Sequence, residues 1–156
     1  MLAAGIVSFL FASALSSELC FSQQENLQIT YSRNLDFRQL IPGVKKIISE
    51  TSPDAGKIII RNSGGWRMVG LSLNLPGSLN SGADFVPVIF SATYSVNPND
   101  NQPGIPFNPY SGTTLSFDDR NREYYIRIGG TVDPRGIQSS GEYNTPVIII
   151  LTILNE

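Results

Sequence analysis

Residues 124–154 read YYIRIGGTVDPRGIQSSGEYNTPVIIILTIL, and this stretch decides the fold class. Tyr124, Ile126, Ile128, Gly130 and Val132 alternate with Tyr125, Arg127, Gly129 and Thr131. A period of two turns one set of side chains to a core and the other to water. Val147 to Leu154 has a different pattern, apolar at every position except Thr152. A strand of that composition needs cover on both faces. Between the two patterns lie Pro134, Gly136, Ser139, Ser140 and Gly141, residues that build turns rather than continue strands.

The same grammar extends upstream. Leu27, Ile29 and Tyr31 alternate with Gln28 and Thr30, and Ile41-Pro42-Gly43 has proline and glycine where a type II turn needs them. Val44 to Ser49 and Lys57 to Arg61 are short strand candidates separated by the turn Ser52 to Gly56. After Asn62-Ser63-Gly64-Gly65, the positions Val69, Leu71, Leu73 and Leu75 alternate with Ser72 and Asn74. Phe85 to Val96 forms a longer apolar run, with Pro87 near its start, where a missing backbone donor is tolerated. Asn97 to Gly112 contains four prolines and reads as a long loop, and Thr113, Leu115 and Phe117 resume the strand pattern. No segment carries an apolar stripe of helical period. Short strands spaced by Gly/Pro turns predict an all-β antiparallel sandwich. The predicted core includes Leu71, Leu73, Ile126, Ile128, Ile149 and Leu151.

Residues 1–22 read as a processing signal. Leu2 to Leu15 is apolar and rich in small residues, about the length of a signal-peptide core and too short to span a bilayer as a helix. Cys20 and Ser22 supply small residues at the −3 and −1 positions for cleavage before Gln23. The basic residues that usually precede such a run are missing, and acylation at Cys20 is the competing reading. The expectation is a signal peptide over 1–22 and one β-sandwich domain over 23–156. The protein would then be exported to the periplasm, cell surface or extracellular space, with no membrane span after processing.

Composition narrows the chemistry. The chain has no histidine and one cysteine, Cys20, so the commonest general base and Cys-based metal sites are missing from the expected mature domain. A net charge of −2 with scattered bases gives no nucleic-acid patch. Asp118, Asp119 and Glu123, or Asn97, Asn99, Asp100 and Asn101, are the candidate oxygen clusters for Ca²⁺, but neither has EF-hand spacing. Asn/Asp groups of this kind ordinarily build turns. Trp66, Tyr94, Tyr110, Tyr124 and Tyr125 are candidates for a sugar-binding face, against the commoner role of strand aromatics in packing. No catalytic, cofactor or metal residue is assigned.

The order Leu35-x-Phe37, Pro42-Gly43, Asp54-Ala55-Gly56, Ile128-Gly129-Gly130-Thr131, Gln138, Gly141-x-Tyr143 and a terminal apolar strand resembles a bacterial secreted family of unknown function. That family is itself similar to spore coat protein U and to the subunits of chaperone–usher fimbriae. The likeness runs from about Leu35 to Leu154 and implies an immunoglobulin-like sandwich without catalytic residues. The chain departs from the pattern at Arg38, where glycine often follows the phenylalanine, and at Pro146 in the last hairpin. It also lacks the fimbrial cysteine pair.

Together these readings predict a non-enzymatic surface subunit, structural or adhesive, fimbria-like and self-associating by strand addition. Its partners would be other copies of itself or related surface subunits. The residues expected to carry strand addition are Leu27, Ile29 and Tyr31 at the N-terminus and Val147, Ile149 and Leu151 at the C-terminus. The alternative is a monomeric glycan- or peptide-binding module using Phe107 and Tyr110 of the long loop. Mass spectrometry of the native protein is expected to find a chain beginning at Gln23; an intact Met1 would overturn the export reading.

Overall fold

The computed structural model describes residues 26–82, 84–137 and 143–155, together with the backbone of residues 7–9. The expected cleavage site, Cys20, and the motif residues Gln138, Ser139, Ser140 and Gly141 lie outside the described residues. The described residues form strands and turns, with no helix. The strands are β1 (Val7–Phe9), β2 (Leu27–Arg33), β3 (Lys46–Ile48), β4 (Gly56–Asn62), β5 (Arg67–Asn74), β6 (Ser78–Ser81), β7 (Asp84–Ser95), β8 (Ile105–Phe107), β9 (Thr113–Phe117), β10 (Glu123–Val132) and β11 (Ile148–Asn155). The expectation of an all-β antiparallel fold is borne out.

The strands make two sheets. One has the order β1-β11-β5-β9. The other runs β2-β4-β10-β7-β6, with β3 continuing the β4 side of β10 and β8 flanking β7. Inward side chains from both sheets meet in one core. Val69, Leu71, Leu73, Leu115, Phe117, Ile149 and Leu151 come from the first sheet, and Ile58, Ile60, Val86, Val88, Phe90, Ile126, Ile128 and Val132 from the second. All six core residues expected from alternation are buried. Phe117 and Tyr124 meet edge to face with centroids 5.0 Å apart, and the Tyr124 hydroxyl donates to Ser116 O at 2.8 Å. Burial of that ring therefore leaves no polar tip unpaired.

Turn chemistry carries the chain between the sheets. At the β4–β5 crossover, Asn62 Nδ2 donates to Gly65 O at 2.9 Å and Asn62 Oδ1 accepts from Gly64 N at 3.3 Å. At the β9–β10 crossover, Asp118 Oδ1 accepts from the backbone of Arg120 and Asn121 at 2.8 and 2.7 Å. Ile41-Pro42-Gly43 behaves as its sequence predicts. Gly43 has φ of 72° and Val44 N donates to Ile41 O at 3.0 Å, as a type II turn requires. Arg38, the departure from the glycine pattern, has φ of 52°. The backbone thus keeps the left-handed conformation that glycine adopts without strain, and the Arg38 guanidinium pairs with Asp54.

The structure corrects two expectations. The loop Asn97 to Gly112 is not wholly irregular, because Ile105 to Phe107 pairs with Tyr94 to Ala92 as β8. The second correction concerns β10. Its alternation predicted one wet face, yet Tyr125, Arg127 and Gly129 are buried as well as their neighbours. Two segments cover this outer face. The chain at Ile48–Glu50 runs so close to Gly129 that a Cβ there would collide with Ile48 O, and residues 97–100 lie over Arg127. Farther along, Thr131 stays partly open between the exposed Ile47 and Ile89.

Truncating Leu71 or Ile128 to alanine is expected to lower the unfolding free energy by about 2–5 kcal/mol, through lost transfer energy and the cavity left behind. Ser72→Ala, on the outer face between Leu71 and Leu73, is expected to stay within about 0.5 kcal/mol. Urea denaturation of the three variants checks the register.

Candidate functional site

Two places on this fold hold groups whose arrangement goes beyond core packing. The first is β11. β11 pairs along its length with β5, from Ile148 opposite Asn74 to Ile153 opposite Val69. Ile149 and Leu151 enter the core, and Val147 packs against it. Ile148, Ile150, Thr152 and Leu154 point the other way. Their neighbours across β5 are Asn74, Ser72 and Gly70. An apolar strip therefore runs along a sheet face that is otherwise polar or bare, and Leu154 is 51% exposed.

On its far side β11 accepts β1. Val7, Ser8 and Phe9 stand opposite Leu151, Ile150 and Ile149 in antiparallel register. Without those three residues, β11 is the edge of its sheet, with a row of backbone donors and acceptors open to an incoming strand.

The other strand-addition candidates are elsewhere. Leu27, Ile29 and Tyr31 belong to β2, which pairs with β4 from Leu27 opposite Asn62 to Tyr31 opposite Ile58. β2 is the edge of the larger sheet. Leu27 and Ile29 pack partly against the core, and Tyr31 is exposed. The two candidate groups therefore lie in different sheets within one copy of the chain, β2 at an edge and β11 between β1 and β5.

The second place is the outer face of β10. Arg127 is fully buried, at 0% exposure. Its Nη2 donates to Asn97 O at 3.0 Å and to Asn99 O at 2.8 Å, and its Nε to Asp100 Oδ1 at 3.3 Å. Asp100 also receives Lys57 Nζ at 2.6 Å and Arg33 Nη1 at 3.2 Å. Lys57 donates to Pro98 O at 3.0 Å and lies over the Tyr125 ring at 5.3 Å. The loop is curled to deliver these acceptors by its own side chains. Asn97 N donates to Ser95 Oγ, Asn99 N to Asn97 Oδ1 and Asn101 N to Asn99 Oδ1, at 2.9, 2.9 and 3.0 Å. The asparagine run expected as a candidate Ca²⁺ cluster is thus a chain of side-chain-capped turns, with its one carboxylate facing three cations.

The remaining candidates are distributed. Asp118 caps its own turn, whose backbone N–H groups from Asn121 and Arg120 hold its carboxyl below the ordinary range. Asp119 pairs with Arg122 at 2.6 Å and Glu123 with Arg61 at 2.6 Å. Among the described residues, no three His, Cys, Asp or Glu side chains converge to hold a metal ion. Tyr94 and Tyr124 pack in the interior with centroids 6.0 Å apart, whereas Trp66 and Tyr110 are exposed. Phe107 is half-buried against Tyr94 at 6.1 Å. The Tyr110 ring is 53% exposed while its hydroxyl accepts from Phe90 N at 3.0 Å. Tyr143 of the Gly141-x-Tyr143 motif packs against the core and donates to Asp84 Oδ2 at 2.9 Å.

Sequence reading missed the role of Arg127. One signal for it was available: a lone arginine on the face of a strand otherwise bearing tyrosine, glycine and threonine, upstream of which lies an Asn/Asp-rich loop. Compared with known protein-family models, curated proteins and solved structures, the chain matches none.

The Asp100 cluster has a pH signature. Burial pushes the Asp100 carboxyl up, but hydrogen bonds from Lys57 and Arg127, with the charges of Lys57 and Arg33, outweigh it and hold it below its ordinary value. A carboxyl depressed in the folded state stabilises fully above its unfolded pKa, about 3.9, and loses that contribution as pH falls through the lower folded value. Asp100→Asn is expected to cost about 1–3 kcal/mol at pH 7, the range for stranding partners of a part-buried charge. In urea unfolding series from pH 7 to pH 2.5, the gap between wild type and variant should hold above pH 5 and narrow below pH 4.

Proposed function

We propose that this protein is a non-enzymatic, exported structural or adhesive subunit with an immunoglobulin-like sandwich, which joins copies of itself by strand addition at the β11 edge. One observation carries the reading: β11 is apolar on both faces and already accepts a short antiparallel strand, Val7–Phe9, on its free side. In the proposed mature chain, residues 1–22 have been removed and that edge is open. Strand addition satisfies the edge's backbone groups and seats alternate side chains beside it. The outward strip Ile148, Ile150 and Leu154 then loses water on association, at a gain of roughly 25 cal/mol per Å² of apolar surface.

The donor in this reading is the N-terminal segment Leu27–Tyr31 of a neighbouring copy. Its alternation suits an added strand, and its position at a sheet edge supports release, since among the described residues a single ladder, to β4, pairs with it. The resemblance of the Gly141-x-Tyr143 and terminal-strand pattern to fimbrial subunits supports the same class. The second reading, a monomeric glycan- or peptide-binding module, is favoured by the exposed ring of Tyr110 in the loop before β9.

Sedimentation of the chain starting at Gln23 separates these readings. Concentration-dependent oligomers are expected. The chain lacking residues 23–32 is expected to stay small until that peptide is supplied. Ile150→Asp, which changes an outward side chain of β11, is expected to abolish oligomers while leaving a cooperative unfolding transition. A wild-type chain that stays monomeric at high concentration would favour the binding-module reading instead.

A further inference from the structure

The clamp over β10 is incomplete on one side. Arg127 directs Nε and Nη2 to the loop, but its Nη1 is buried and has no hydrogen-bond partner among the described residues. Thr93 stands directly opposite Arg127 across the β7–β10 pair, so the two side chains leave the sheet on the same face as neighbours. Thr93 Oγ1 is likewise buried and has no partner among the described residues. Gly104 closes over this spot: a Cβ on it would fall 2.9 Å from Thr93 Cβ and Oγ1 and 2.8 Å from Tyr94 O. Two hydrogen-bonding groups without a partner among the described residues, one of them on a charged residue, thus belong to cross-strand neighbours, with the Gly104 backbone packed against Thr93. Such groups ordinarily have partners, and an unpaired one calls for an explanation.

Charge narrows what could partner them. Arg33, Lys57 and Arg127 bring three positive charges and Asp100 brings one negative charge, so three minus one leaves a surplus of two. The Asn97, Pro98 and Asn99 carbonyls that also serve these cations are neutral dipoles. A metal cation is disfavoured by that field. A partner for Arg127 Nη1 must be an acceptor, and a negative charge beside it is stabilised by the surplus. Asp100, held on the Nε side of the guanidinium, is the one carboxylate among the described residues paired with Arg127.

We propose that Arg127 Nη1 and Thr93 Oγ1 bind a small monovalent anion of the size of chloride, which completes the attachment of residues 97–104 to the sheet. This site is separate from the β11 edge and does not depend on strand addition.

The test uses the full chain and halide salts. Thermal unfolding is followed while chloride replaces gluconate at constant ionic strength, so that screening and net charge stay fixed. One ion bound by the folded state alone should raise the midpoint by roughly 3–5 °C per tenfold chloride once the site saturates. Thr93→Val keeps the shape of the side chain and removes its hydroxyl, and is expected to flatten that slope while remaining folded. Crystals soaked in bromide should show an anomalous peak within hydrogen-bond distance of Arg127 Nη1 in wild type and not in Thr93→Val. A midpoint independent of chloride would overturn the proposal, as would a slope unchanged in Thr93→Val. A bromide peak without any chloride dependence would mark an adventitious ion only, and would overturn it as well.

Discussion

A guanidinium without solvent exposure sits in the middle of the larger sheet, and much of the surface around it is arranged to serve it. Removing Arg127 from water is tolerable only if its donors meet acceptors and its charge meets a countercharge. The backbone carbonyls of Asn97 and Asn99 and the carboxylate of Asp100 supply them. That requirement explains why residues 95–102 are rich in side chains that bend the chain back on itself. Each Asn or Ser oxygen that accepts a backbone N–H two residues later turns a carbonyl toward the sheet. Arg33 and Lys57 reach the same carboxylate from β2 and β4, so one loop ties together strands far apart in sequence.

The consequence is a central strand covered on both sides. β10 lies between β4 and β7 and shares ladders with both. Its inward residues face the opposite sheet, while its outer face lies beneath the 97–102 loop at one end and the Ile48–Glu50 backbone farther along. Gly129 belongs to this arrangement, because the close passage of Ile48 O leaves no room for a side chain. Where the cover stops, at Thr131, the flanking Ile47 and Ile89 remain exposed.

β11 poses the same problem with a different outcome. It carries apolar residues on both faces, but among the described residues no equivalent of Arg127 draws a loop over it. Its inner row is buried and its outer row lies beside the serine, glycine and asparagine of β5. Two strands that each bury an apolar inner row thus end in different environments on their outer faces. The difference begins with a residue of the strand itself, Arg127, whose buried charge holds a loop over β10.

Alternation and turn residues alone were enough to establish an all-β antiparallel chain, the inward positions of β5, β10 and β11, the Pro42-Gly43 turn and the turn at Asn62 to Gly65. These are local properties: side-chain direction reverses at every residue of a strand, and proline and glycine restrict or free φ without outside help. Tertiary structure decided the rest. Whether the outward row of β10 meets water depends on a loop some thirty residues earlier, and whether Leu27–Tyr31 pairs with β4 or with another edge depends on ladders between segments distant in sequence. The Asn97–Asn101 cluster, whose ordinary reading was turns, is a set of turns, and only the packed chain brings charges from three different strands to face Asp100. Periodicity records which way a side chain points; only the packed chain determines what stands opposite it.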